Sequence, residues 1–231
     1  GIAIPVDASS TVDDVAYILN DARPEAIWVS GQTEETARQA IEKAGVDTVV
    51  LRMDDLSGLA AHAETKETGI SFEDSDVCVI LYTSGTTGFP KGVMLTFKNL
   101  LVNIDAISCK EVPIFNKNSS TLILLPLHHV MPLVGTLVAP IFSESQVVLC
   151  PTLSGPDIMA SLQRGKVTII VGVPRLWQTL YNGIKKKIDE SALASTLYKL
   201  CEKVGSYGFS KKVFASVHKK LGGHLVYSVS G

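Results

Sequence analysis

Apolar and polar positions along this chain change period every ten to fifteen residues. Short apolar, β-branched runs at 2–6, 26–29, 48–51, 77–83, 93–95, 121–125, 146–149 and 167–171 read as strands. Between them the spacing shifts to three and four. One helix opens on Ser10 or Thr11 as N-cap and runs to about Asp21, with Asp13 and Asp14 placed to favour the dipole of its first turn. A second covers 33–44 and stops at Gly45, a residue suited to the left-handed position after a helix. Leu100, Leu101, Ile104 and Ile107 mark a third over 97–107, followed by helices at 131–142, 157–163 and 175–188. Strand and helix alternating in this way predict an α/β fold, mainly parallel sheets with helices on both faces.

The pattern also divides the chain. Residues 1–53 form a first α/β subregion, 54–76 are polar and poorly patterned (a linker or excursion), and 77–231 carry the remaining elements. Both ends are strand-like and interrupted in mid-pattern, at Gly1–Val6 and Leu225–Gly231, which predicts a piece of a longer protein.

Composition fits an ordinary globular chain: 231 residues, 46% apolar and 19% charged, net charge −2. Such a balance gives the whole molecule no nucleic-acid signature. Cys78, Cys109, Cys150 and Cys201 are widely spaced, and Cys78 and Cys150 fall in apolar runs. They read as buried structural thiols of a reduced, cytoplasmic protein. The apolar stretch from Leu122 to Phe142 contains Pro126, Pro132, Pro140, His128 and His129, so it reads as a buried strand, a turn and a buried helix rather than a membrane span.

Chemistry enters at Tyr82-Thr83-Ser84-Gly85-Thr86-Thr87-Gly88-Phe89-Pro90-Lys91-Gly92. Glycines let backbone N–H groups approach an anion, the hydroxyls of Ser84, Thr86 and Thr87 add donors, and Lys91 adds a positive charge. The plain alternative is a surface loop rich in small residues. A strand before and a lysine after favour a polyphosphate cradle instead. It is not a Walker A loop: Pro90 stands five positions after Gly85, and Gly92, not Ser or Thr, follows Lys91.

Thr83 through Gly92 resembles the phosphate-loop signature of AMP-forming adenylating enzymes, which include acyl-CoA synthetases, luciferases and peptide-synthetase adenylation domains. The resemblance implies that a carboxylate attacks ATP to give an acyl-adenylate and pyrophosphate, and that coenzyme A then takes the acyl group. It assigns Thr83, Ser84, Gly85, Thr86, Thr87, Gly88 and Lys91 to the nucleotide phosphates, with Lys91 stabilising charge on departing pyrophosphate. ATP, Mg²⁺ and coenzyme A are the implied cofactors, and no metal ligand is assigned within the chain.

Two further segments gain meaning from it. Leu125-Pro126-Leu127-His128-His129 is by itself a turn after a strand, and the resemblance places His129 at the carboxylate pocket. Gly172-Val173-Pro174-Arg175-Leu176-Trp177 is by itself a helix start with proline in its first turn. It is similar to the gating segment of long-chain acyl-CoA synthetases, so Arg175 and Trp177 are implied to bind a fatty acid. The later Tyr-Gly-x-Thr-Glu segment, ribose aspartate and catalytic lysine of that family have no match in the chain. The implied reading is a partial N-terminal domain of a long-chain fatty acid–CoA ligase, its C-terminal domain absent and the fragment alone inactive. Another adenylating enzyme, of peptide-synthetase or aryl acid type, and a non-catalytic lipid- or carboxylate-binding relative are the alternatives.

Charge is uneven. From Lys185 onward nine lysines face Asp189, Glu190 and Glu202, a net +6, against −8 for the residues before. A solvated helical surface is the plain account, and a peripheral contact with anionic lipid the sharper one.

Overall fold

Thr11 opens helix α1 (Val12–Ala22) through a reciprocal cap. Its hydroxyl accepts from the Asp14 N–H at 3.2 Å, and its own N–H donates to the Asp14 carboxylate at 3.1 Å. The computed structural model describes residues 1–55, 71–83, 90–109 and 113–231. The chain forms two compact units, Gly1–Asn99 and Leu100–Gly231.

In the first unit, strand β1 (Ala26–Val29), helix α2 (Glu34–Ala44) and strand β2 (Val49–Arg52) form a parallel β-α-β crossover in which Ala26 faces Val49. Gly45 closes α2 at φ +63°, the left-handed position predicted for it. Thr48, expected in the strand, lies just before β2, and its hydroxyl donates to the Pro24 carbonyl at 2.9 Å. Val15, Ala16, Leu19 and Ala40 pack with Ile27 and Ile41 as the core of this unit. A 3₁₀ turn, Met53–Asp55, follows β2. Most of the polar stretch predicted at 54–76 lies outside the described residues.

Two expectations are corrected here. Residues 2–6 are not a full strand: only Ala3 pairs, in parallel, with Val79. Pro5 has no N–H to continue a ladder. Strands β3 (Val77–Thr83) and β4 (Lys91–Thr96) form an antiparallel hairpin rather than part of a parallel sheet.

Helix α3 (Phe97–Ser108) leads to strand β5 (Ser120–Ile123) in the second unit. Beyond it lie α4 (Val130–Pro132), a π-helical stretch (Leu133–Val138) and α5 (Ala139–Phe142). The regular helix expected over 131–142 is therefore widened in its middle. Pro140 cannot donate to Thr136 and its ring would crowd that carbonyl. The Ala139 N–H instead reaches back five residues to the Val134 carbonyl.

Strand β6 (Gln146–Leu149), helix α6 (Gly155–Arg164), strand β7 (Ile169–Gly172), helices α7 (Pro174–Asp189), α8 (Ala192–Val204), α9 (Tyr207–Val213) and α10 (Ala215–Lys220), and strand β8 (Tyr227–Ser230) complete the unit. The four strands are all parallel in the order β6-β5-β7-β8. Ile169 and Val171 face one side with Ile104, Phe115, Val134 and Ala139. Ile170 faces the other with Leu122, Leu124, Ile158 and Leu162. Both faces of the sheet are thus covered, as expected, and each fully buried Leu or Ile contributes about 2–3 kcal/mol relative to exposure.

All four cysteines are unpaired; Cys78 and Cys201 are buried. Cys150 is only half-buried, against expectation, because it follows the last residue of β6, and its thiol lies 2.9 Å from the Thr152 carbonyl. Among the described residues no helix is long and apolar enough to cross a membrane.

Candidate functional site

The hairpin register sets the first part of the site. Thr83 stands directly opposite Lys91, and Tyr82 opposite Gly92. Ser84, Gly85, Thr86, Thr87 and Gly88 lie outside the described residues, but the two residues that border the segment are held at antiparallel-pair spacing, about 5 Å between Cα atoms. Thr83 and Lys91 are exposed, and among the described residues no acidic group pairs with Lys91. An ammonium in that state can meet a phosphate without first breaking an ion pair.

Both flanks are tied to α1. The Tyr17 hydroxyl donates to the Pro90 carbonyl at 3.0 Å, and the Tyr82 hydroxyl to the Asp21 carboxylate at 2.6 Å. Burial, then the Asp21 carboxylate, push the Tyr82 phenol well above its usual range, so it stays a neutral donor at physiological pH. Gly92 lies against the Tyr82 ring. A Cβ there would come within 2.9 Å of Ile80 Cγ2 and 3.2 Å of Tyr82 Cζ. Tyr17, Asp21, Tyr82 and Gly92 were not singled out from the sequence as holding these flanks. The signal was an aromatic and a glycine at mirrored positions around the loop, legible only once the register is known.

The second part belongs to the other unit. In the order β6-β5-β7-β8 the chain leaves β5 in one direction and crosses back past it to reach β7. That makes the carboxyl ends of β5 and β7 a topological switch point, where crossovers diverge to opposite faces and open a crevice. The His128-His129 turn follows β5; Arg175 and Trp177 follow β7.

At this edge the His128 and His129 rings lie 4.2 Å apart, with His128 half-buried and His129 exposed. His129 is the N-cap residue of α4, and its carbonyl accepts from the Leu133 N–H at 3.0 Å. Trp177 folds back over the end of β7, so that a Cβ on Gly172 would stand 3.2 Å from its indole nitrogen. That nitrogen is buried and, among the described residues, has no hydrogen-bond acceptor. Arg175, two residues earlier, is exposed. Gly231 donates to the Gly172 carbonyl at 3.2 Å, and a Cβ on Gly231 would meet Met131 Cε at 3.3 Å. Contacts therefore run across the edge from the histidine turn, through Met131 and Gly231, to the strand beneath Trp177.

The structure thus brings His129, Arg175 and Trp177 to one edge, and Thr83 and Lys91 to the open end of a hairpin in the other unit. A cleft of about 590 Å³ in the first unit, lined by residues such as Ile4, Val15, Ile18 and Val29, includes neither Thr83 nor Lys91. Among the described residues no group of three His, Cys, Asp or Glu side chains could hold a metal ion.

Residues 1–230 match the AMP-binding enzyme family. The chain is 31% identical over 179 residues to long chain acyl-CoA synthetase 8 of Arabidopsis thaliana, covering 67% of this chain and 25% of that protein. It is 27% identical to long-chain-fatty-acid–CoA ligase 1 of Saccharomyces cerevisiae, covering 98% of this chain and 35% of the ligase. The chain spans about a quarter to a third of the length of these relatives. Its fold resembles that of ATP-bound MatB from Rhodopseudomonas palustris, with a TM-score of 0.68 and 22% identity over all of this chain and 40% of that one.

Proposed function

The chain belongs to the AMP-binding enzyme family, and we propose that it forms part of an AMP-forming fatty acid–CoA ligase. The supporting observation is the switch-point edge, where the His129 turn and the Trp177 helix start diverge from adjacent strands β5 and β7. An acyl group entering there meets an apolar indole face and two imidazoles, next to the exposed Arg175 guanidinium. Long-chain ligases among the relatives support the same substrate class.

In this reading the fatty carboxylate oxygen bonds to the α-phosphorus of ATP as the bond to pyrophosphate breaks. Lys91 and the Thr83 hydroxyl would stabilise the negative charge that gathers on the departing group. Mg²⁺ would share that charge, with the nucleotide phosphates as its ligands. The thiol of coenzyme A then displaces AMP from the acyl carbon. His129 and Arg175 orient the carboxylate, and Trp177 borders the acyl chain. The 231-residue chain alone makes no acyl-CoA.

The full-length polypeptide, supplied with ATP, Mg²⁺, coenzyme A and palmitate, malonate or benzoate, tests this by release of AMP and formation of thioester. Palmitate is expected to give the highest kcat/KM. Preference for benzoate or malonate would overturn the fatty-acid reading. Palmitate binding with no thioester would favour a non-catalytic relative. Exchange of pyrophosphate into ATP by the 231-residue chain with palmitate would overturn its assignment as inactive.

A further inference from the structure

Helix α8 carries two apolar stripes, and only one is covered. Ala194, Tyr198 and Cys201 face the protein: Cys201 is buried, and the Tyr198 ring lies 6.2 Å from Phe214 and 4.7 Å from Lys185 Nζ. Leu193, Leu197, Leu200 and Val204 recur at four, three and four residues and so share a second face. Leu193 is 72% exposed, and Leu200 and Val204 are exposed as well. Gly205, at φ +63°, turns the chain out of the helix. Tyr207, 80% exposed, and Phe209 follow at once. Apolar side chains thus continue from the stripe into the start of α9.

Lysines border this surface. Lys199 and Lys203 lie on the flank of α8 away from its buried face, and Lys211 and Lys212 follow Phe209 in α9. Among the described residues none of the four forms an ion pair, whereas Lys185 is paired with Asp189 at 2.5 Å. The segment's net +6 stands against −8 in the rest of the chain.

We propose that the α8 stripe, Tyr207 and Phe209 dock on the anionic face of a lipid bilayer. The apolar side chains enter the headgroup boundary while Lys199, Lys203, Lys211 and Lys212 lie among anionic headgroups. A water-soluble polyanion would engage the lysines and leave the stripe wet. A neutral apolar partner would cover the stripe and gain nothing from the charge. An anionic bilayer takes up both. Tyrosine suits the boundary, with its ring in the apolar layer and its hydroxyl in water. This proposal stands apart from the ligase reading, since it uses none of Thr83, Lys91, His129, Arg175 or Trp177.

The test is co-sedimentation of the full-length polypeptide with phosphatidylcholine vesicles, with and without about 30 mol % phosphatidylserine. Anionic vesicles should retain it at least about tenfold better at ~0.1 M salt, with most of the gain lost at ~0.5 M. Leu200→Ser with Tyr207→Ser, and separately Lys203→Glu with Lys211→Glu and Lys212→Glu, should each lower retention at least about fivefold. Thermal unfolding and thioester formation on a water-soluble carboxylate should stay unchanged. Tyr207→Trp supplies a gentler probe: its fluorescence should shift to the blue and be quenched by brominated lipid only in anionic vesicles. Equal retention on both vesicles, no retention, or an unquenched Tyr207→Trp would overturn the proposal. So would loss in the lysine variant alone, with an RNA oligonucleotide displacing the vesicles, which marks a plain polyanion site.

Discussion

Gly92 leaves no room for a side chain beneath Tyr82. A Cβ added there would lie 3.2 Å from Tyr82 Cζ and 3.3 Å from its hydroxyl oxygen, which donates to Asp21 at 2.6 Å. This ring is one of two ties between the hairpin and helix α1, the other being the Tyr17 hydroxyl on the Pro90 carbonyl. Gly92→Ala should force the ring aside, lowering stability by about 1–3 kcal/mol. The full-length protein should also lose adenylation, because Thr83 and Lys91 shift with the hairpin. A urea midpoint and pyrophosphate exchange unaltered from wild type would remove Tyr82 from the anchoring role.

Lys91→Ala separates charge stabilisation from substrate binding. Loss of one prepositioned donor to a developing anion lowers kcat by about 10²–10³. The fatty-acid dissociation constant should change little, since Lys91 lies outside the unit that carries His129, Arg175 and Trp177. Single-turnover adenylation beside a direct fatty-acid binding measurement checks both. An unchanged rate would take Lys91 out of the mechanism.

Among the described residues two buried side-chain polar atoms lack partners: Thr121 Oγ1, in the interior strand β5, and Trp177 Nε1. Removing an unsatisfied group while keeping its shape is neutral or stabilising. Thr121→Val should therefore raise stability by up to about 1 kcal/mol. Trp177→Phe should cost less than Trp177→Ala, for which about 2 kcal/mol is expected because the indole is only partly buried. If Trp177 borders the acyl chain, Trp177→Ala also broadens the chain-length profile of kcat/KM, and Trp177→Phe restores most of it. Equal profiles in both variants would leave Trp177 a packing residue.

The Thr11–Asp14 cap predicts an acid limb. The Thr11 hydroxyl and then its N–H, both donating to the carboxylate, hold Asp14 below the ordinary aspartate range. A depressed folded-state value stabilises above the unfolded value, about 3.9, and the contribution disappears as pH falls through the folded one. Thr11→Ala should cost about 1 kcal/mol at neutral pH. Asp14→Asn should flatten the dependence of stability on pH below about 4. An acid limb identical to wild type would mean that the cap does not persist in solution.

Features written within a few residues were legible in the sequence. The α1 cap, the Gly45 stop, strand β6 and the seven residues of β3 all fell where periodicity and end signals placed them. Two of the signals that misled were overridden by a nearby proline, Pro5 or Pro140. Residues 2–6 have strand composition but pair only at Ala3, and 131–142 has helical spacing yet widens before Pro140. The antiparallel pairing of β3 with β4 was missed because strand composition does not encode direction.

The sequence by itself determined the α/β class and the phosphate-loop signature, and it supplied the candidate residues Lys91, His129, Arg175 and Trp177. Those depend on local spacing and on side-chain chemistry. Only the tertiary structure decided that Thr83 faces Lys91, that β7 lies beside β5, and that His129 and Trp177 consequently share one edge. Register and strand order arise from pairing and burial between residues far apart in the chain. No short window of sequence carries them.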